Sequence, residues 1–258
     1  MIINQNLLLS ILLLPILSFF FYNDINIITG LSGLCIFIVY YFLYVCSTIR
    51  YFEFGIAPQN YIDLEHQTHK IVAYGFSTCH SIYISLYSTL YLYQIIDTHI
   101  IKQAFFISMS YYLADLYYVI DSTKKLSKQD YLTLCHHSIM IFYQMCVFIQ
   151  NDYNLENNLL YYLNRGLIAE YSVISLNYSW YLVNTKQETS KKMMISSIIT
   201  IILYFITRVI NFTLLIYGLW IDGFLLISSV MMPLFVINYF WFYKLVYKAY
   251  RIVMIRNK

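Results

Sequence analysis

The sequence predicts an all-α integral membrane protein, a polytopic bundle of seven to eight transmembrane helices, and three observations carry that reading. Of 258 residues, 60% are hydrophobic and only 11% are charged, whereas a soluble domain carries about a quarter charged residues. So few charges cannot cover a globular surface of this size. Apolar runs of roughly 18 or more residues, enough to cross the hydrocarbon core as a helix, recur along the whole chain. The basic residues collect in alternate loops between those runs, as they do when positive loops stay in the cytoplasm.

The segments at 7–22 and 26–48 come first. The first contains Pro15 and ends at "YNDIN"; no Lys or Arg precedes it and no small-residue cleavage site follows. It is therefore expected to be a retained helix rather than a signal peptide. The short link to the next segment makes 1–48 a transmembrane hairpin. A connecting loop at 49–70 follows, and "YIDLEHQTHK" within it reads as an interfacial helix. His66 and His69 there stand at i, i+3 spacing, which suits a metal. No third or fourth ligand stands nearby, so a solvated polar surface is the reading adopted. Six more segments, at 71–96, 103–120, 131–149, 158–183, 193–218 and 222–250, lead to a basic tail at 251–258.

The loops orient these segments. Arg50 and Lys70 bracket one loop; Lys124, Lys125 and Lys128 occupy a second; Lys186, Lys191 and Lys192 occupy a third. Lys244, Lys248, Arg251, Arg256 and Lys258 crowd the C-terminus, while the alternate loops hold only Lys102 and acids such as Asp152 and Glu156. Thirteen basic residues thus fall on one side and one on the other. The C-terminus is expected in the cytoplasm; the N-terminus joins it there with eight spans and lies outside with seven. A net charge of +3 spread along the chain gives no basic face for nucleic acid. The five cysteines all lie in apolar segments without a Cys-x-x-Cys pair, as small buried hydrophobes do. Tyrosine, at 29 residues, is too evenly spread to form only an interfacial belt.

The informative residues are those a bilayer excludes: His80, Asp115, His136, His137, Arg165, Glu170 and Arg208, all inside apolar segments. A charge at mid-bilayer costs about 2.5–3.5 kcal/mol even on a lenient scale, so such groups face the bundle interior and pair. Two acids and two arginines balance, which leaves the histidines free to be neutral. On a helical wheel Thr133, His136, His137, Met140, Tyr143 and Gln144 share an arc of about 120°. The opposite arc is apolar apart from Ser138. His80 likewise shares a side with Ser77 and Tyr83, Asp115 with Tyr111 and Tyr112, Glu170 with Asn177, and Arg208 with Tyr204 and Asn211. These sets are expected to converge on one polar chamber. Buried polar groups also simply knit helices together, at about 0.6 kcal/mol each on average. That role is assigned here to Arg165, Asn177, Arg208 and Asn211, and a functional one to the histidine pair.

A histidine acts as base, acid or nucleophile near neutral pH, and a carboxylate such as Asp115 or Glu170 fixes its tautomer. In a dry chamber that combination suits acyl transfer. Di-iron membrane oxidases are excluded, because they need about eight histidines in boxes and this chain has six with one adjacent pair. A single zinc on His80, His136 or His137 with a carboxylate is a competing reading. A transporter lacks support: no inverted repeat is evident and few Gly or Pro interrupt the spans.

The order of motifs adds a family. "FSTCHSIYISLY" (76–87), "YYLADLYYVI" (111–120), "LCHHSIM" (134–140), "NRGLIAEYSVISLNYSWYL" (164–182), "ITRVINF" (206–212) and "INYFWFYKLV" (237–246) follow one another across about residues 66–250. In this the chain resembles the TLC-domain family, which includes the ceramide synthases, and it is closer to the small TLC-domain proteins linked to membrane lipid composition. The resemblance implies that the last six helices form a ring around a central cavity within 71–250. It implies lipid homeostasis as the setting, with membrane lipids as partners and the endoplasmic reticulum or another endomembrane as the location. By the same resemblance His136 and His137 carry N-acylation, with acyl-CoA as co-substrate, a sphingoid base or lysolipid as acceptor, Asp115 on the preceding helix and no bound cofactor. His80, Tyr112, Gln144, Glu170, Asn177 and Arg208 are then candidate cavity or lipid-binding residues. The chain departs from ceramide synthases where two aspartates precede the glutamate, since Leu163 and Gly166 stand there. An Asn-x-Arg-Trp pattern is likewise reduced to Asn177-Tyr178-Ser179-Trp180.

Overall fold

A computed structural model describes residues 61–122, 128–149, 153–185, 187 and 189–256. The expected hairpin at 1–48 lies outside the described residues. Every regular element among them is helical: α1 (Tyr61–Leu92), α2 (Thr98–Ser122), α3 (Lys128–Ile149), α4 (Tyr153–Leu167), α5 (Tyr171–Asn184), α6 (Lys191–Tyr204), α7 (Asn211–Ile221) and α8 (Leu225–Arg256). A 3-10 turn, Ile168–Glu170, joins α4 to α5, and a π-helical turn, Phe205–Ile210, joins α6 to α7. The described chain is thus drawn into six continuous rods, one on each of the last six apolar segments. The decapeptide "YIDLEHQTHK" is helical, but as the first turns of α1 and not as a separate element. Pro58 is the last strong helix breaker before it, and no proline follows until Pro233.

The rods end where backbone groups find partners. Asp97 Oδ1 accepts the Ile100 N–H at 2.9 Å in the first turn of α2, and Ser190 Oγ accepts the Met193 N–H at 3.1 Å at the start of α6. Both are side chains that satisfy an otherwise orphaned donor. After α7 the Phe224 N–H returns to the Leu219 carbonyl at 2.9 Å and the Gly223 N–H to Trp220 at 3.2 Å. Gly223 takes φ +82° to close that turn. The end of α1 closes in the same way through Ile95 and Gln94, with bonds of 2.8 and 2.9 Å. There φ is +57° at a residue that carries a side chain, a conformation glycine adopts more cheaply.

Two rods, Lys191–Ile221 and Leu225–Tyr250, are long and apolar enough to cross a membrane by length and composition, among the described residues. Only 39% and 28% of their most apolar stretches are buried, which separates them from the core helices of a soluble protein. Ile195, Ile199, Ile202, Ile206 and Ile210 each expose roughly half of their surface along the first rod, as lipid-facing residues do. The sequence leads one to expect seven to eight spans; two rods meet this criterion. The others contain many Ser, Thr, Tyr and Asn residues, which lower their mean hydropathy.

The chain forms two compact units. Among the described residues the first holds 61–73, 105–122, 128–149 and Tyr153. In it α2 and α3 meet through Phe106 and Met109 packed against Met145 and Phe148, with the two Phe rings 4.4 Å apart. The second unit holds 74–104 and most of the chain after 153. In it the Ser179 and Ser196 hydroxyls lie 2.6 Å apart across α5 and α6. Tyr162 packs on Gly218 so closely that a Cβ there would stand 2.6 Å from its ring. The Tyr162 hydroxyl donates to Asp222 Oδ2 at 2.8 Å. Small side chains and interhelical hydrogen bonds are what bring helices together where lipid competes for apolar contact.

Candidate functional site

In the first unit α2 and α3 bring together Asp115 and His137. Neither helix contains a proline or glycine, so residues three and four apart stack on one face. On α2 this sets Asp115 one turn from Tyr111 and Tyr112; on α3 it aligns His137 with Met140 and Gln144. His137 Nδ1 lies 3.3 Å from Asp115 Oδ2, and both residues are buried. Although the pair is within ion-pair distance, His137 Nδ1 makes no hydrogen bond among the described residues. The two groups are close, but their geometry does not meet that of a hydrogen bond.

Aromatic rings enclose the pair. The Tyr112 ring lies 4.9 Å from the His137 imidazole, and Tyr111 meets it edge-on at 6.3 Å. His136 stands 5.4 Å from His137 and edge-on to Tyr112 at 6.5 Å, but it is only half-buried. The adjacent histidines are therefore not equivalent: consecutive helical residues point about 100° apart, and the buried His137 lies against the acid. Two turns along α3, the wholly buried Gln144 donates from Nε2 to Ser108 Oγ at 3.1 Å. Its Oε1 has no hydrogen-bond partner among the described residues. Opposite this face Cys135, Ser138 and Phe142 are exposed.

The second unit holds a different polar group. Arg208 projects from the π-helical turn, whose wider pitch re-aims one residue relative to a regular helix. Its Nη2 donates to Glu170 Oε1 at 3.0 Å, its Nε to Ser172 Oγ at 2.8 Å and its Nη1 to Asn238 Oδ1 at 3.3 Å. Glu170 receives the Ser81 hydroxyl on Oε2 at 3.1 Å, and the guanidinium carbon lies 5.4 Å from the Tyr204 ring centroid. Glu170 sits in the 3-10 turn between α4 and α5. Every arginine nitrogen and both carboxylate oxygens are engaged, as a buried ion pair requires if it is not to be destabilising.

Asn177 Nδ2 donates to the Tyr74 carbonyl at 3.2 Å and to Thr78 Oγ1 at 3.0 Å. Arg165 Nη2 donates to Asn211 Oδ1 at 3.0 Å, and Asn211 returns a bond to the Arg165 carbonyl at 2.7 Å. His80 is buried on α1 in this unit. The sequence-predicted residues thus gather as two groups in two units, His137 with Asp115 and Glu170 with Arg208. Ser81 and Ser172 complete the second group and carry no pattern that marks them among the many serines, whereas Ser108, the partner of Gln144, shares the helical face of Asp115 in the sequence. Asn238, an amide within the quoted "INYFWFYKLV", was open to the same reasoning that singled out Asn177 and Asn211.

Among the described residues no three His, Cys, Asp or Glu side chains gather as a metal-binding group. A family model for the TLC domain matches residues 63–247. No curated protein matches the chain, and no solved structure matches it.

Proposed function

From the premise that the chain belongs to the TLC-domain family, whose members are generally membrane-associated and lipid-related, we propose that it binds and remodels membrane lipid at the His137–Asp115 pair. The observation that carries this reading is that pair: an imidazole 3.3 Å from a carboxylate in a chain with apolar membrane-crossing rods. Asp115 at Nδ1 favours the tautomer in which Nε2 holds the basic lone pair. Tyr112 and Tyr111 limit the ring's rotation. A buried imidazole whose Nδ1 makes no hydrogen bond among the described residues, beside a carboxylate, is suited to engage a lipid's amide, hydroxyl or amine group. The Glu170–Arg208 group, satisfied on every atom, supports the helix framework in this reading.

Acyl transfer is the catalytic form of the proposal, favoured by the imidazole–carboxylate geometry. His137 Nε2 would take the proton of an attacking amine as its nitrogen bonds to the acyl carbon of acyl-CoA. The thioester C–S bond breaks and the proton passes to the leaving thiolate, giving amide and free CoA. Asp115 touches neither reactant and is a positioning residue. Purified protein in nanodiscs, given acyl-CoA with a sphingoid base or a lysolipid, is expected to release CoA. The His136→Ala/His137→Ala double variant is expected to lose that release by about 100-fold or more, the scale of a general base. Release no greater than that of the variant would overturn the catalytic form. Identical lipid profiles in cells expressing wild type and the double variant would overturn lipid handling at this pair altogether.

A further inference from the structure

Within the second unit a cavity of about 360 Å³ opens between α5, α6 and α8, a volume at the lower end of the ligand-site range of about 300–1,000 Å³. None of its lining residues belongs to either polar group above. Its walls are apolar, from Leu176, Val183, Met193, Ile201 and Leu245. Its polar groups include the half-buried Ser197 hydroxyl and Trp180 indole, two buried hydroxyls and two exposed side chains. Ser179 and Thr200 are buried hydroxyls already bonded to Ser196, Ser179 to its hydroxyl at 2.6 Å and Thr200 to its carbonyl at 2.7 Å. Asn184 and Lys248 are exposed side chains. Asn184 spends its amide on the Trp180 carbonyl at 2.9 Å, which orients its side chain at the end of α5. Lys248 is the one cation on the lining among the described residues.

We infer that this cavity is a binding site for a single-chain amphiphile with an anionic head, its chain against the aliphatic walls and its carboxylate or phosphate on Lys248. The chemistry of the lining divides as such a molecule does. Buried hydroxyls with spent donors and five aliphatic side chains accept a chain, and an ammonium on a flexible stem accepts an anion. The volume admits one chain rather than two. The charge distribution agrees: Lys191 and Lys192 precede the lining residue Met193, and Lys244 lies one turn before Lys248. This is the end of the rods that the basic loops assign to the cytoplasm, where anionic lipid collects.

The test uses the full-length chain in phosphatidylcholine nanodiscs with three diazirine-bearing probes: palmitate, lysophosphatidate and zwitterionic lysophosphatidylcholine. Labelling by palmitate or lysophosphatidate on peptides that span 176–201 and 245–249, about tenfold above the zwitterionic probe, is expected from one charge-assisted contact. Palmitate alone identifies a carboxylate ligand; lysophosphatidate alone, or both, identifies the phosphate head as acceptable. Lys248→Glu is expected to remove the preference about tenfold, and Ala249→Phe, which fills the cavity, to abolish labelling by every probe. Equal labelling by anionic and zwitterionic probes on the wild type overturns the proposal without any variant, as does labelling that survives both substitutions. His137→Ala is expected to leave labelling unchanged, so failure here and failure of the His137–Asp115 reading are separately visible.

Discussion

Both buried acids sit about 3 Å from a nitrogen base, Glu170 at 3.0 Å from Arg208 and Asp115 at 3.3 Å from His137, yet the two pairs differ in what surrounds them. Around Arg208, hydroxyls and an amide from three further positions, Ser172, Asn238 and Ser81 by way of Glu170, complete the set of hydrogen bonds. On the other pair's helix, His137 Nδ1 and Gln144 Oε1 are buried without a hydrogen bond among the described residues. A satisfied buried network rigidifies a fold, whereas an unsatisfied buried group costs free energy that the rest of the fold, a water or a ligand offsets. The contrast separates a pair whose hydrogen bonds are complete from one whose imidazole is left with an open position, and it supports the proposal made for the second.

The contrast is broken most severely at the ion pair. Arg208→Ala strands a buried Glu170 carboxylate and is expected to cost about 3–5 kcal/mol in unfolding from mixed detergent micelles. Glu170→Leu combined with Arg208→Met should recover most of that loss, since apolar groups of similar size replace buried pairs well. A double variant as unstable as the single one would mean that the pair does more than neutralise itself. Ser172→Ala sharpens the point: it takes the acceptor from Arg208 Nε and is expected to cost about 1.5–3 kcal/mol. Asn177→Leu removes two neutral hydrogen bonds to α1 and should cost about 1–2 kcal/mol by the same measurement. The smallest effect belongs to the other unit. Gln144→Leu gives up one bond to Ser108 but also removes an orphaned acceptor, so stability should change by less than about 1 kcal/mol. A loss as large as that of Ser172→Ala would place Gln144 in the framework and dissolve the comparison.

Much of this was legible in the residues. Six rods stand on the last six apolar segments: five of these runs lack proline, and the sixth stays helical through Pro233. The face of α3 that holds His137, Met140, Tyr143 and Gln144 is buried, as its helical phase implies. The knitting role expected of Arg165, Asn177, Arg208 and Asn211 matches the bonds they make. The difference between His136 and His137 was not legible. A wheel places neighbours within one broad arc, and only the position of the facing helix separates the residue at the acid from its half-buried neighbour.

Composition, apolar run length and the spacing of polar side chains along each helix are properties of the chain alone, and they determined a helical membrane protein with titratable groups turned inward. Which acid meets which base was decided by tertiary structure. A 3-10 turn at Glu170 and a π turn at Arg208 set those side chains in directions that regular periodicity does not give. Hydrogen-bond satisfaction, the property in which the two pairs differ, depends on serines and amides up to 89 positions distant in the chain.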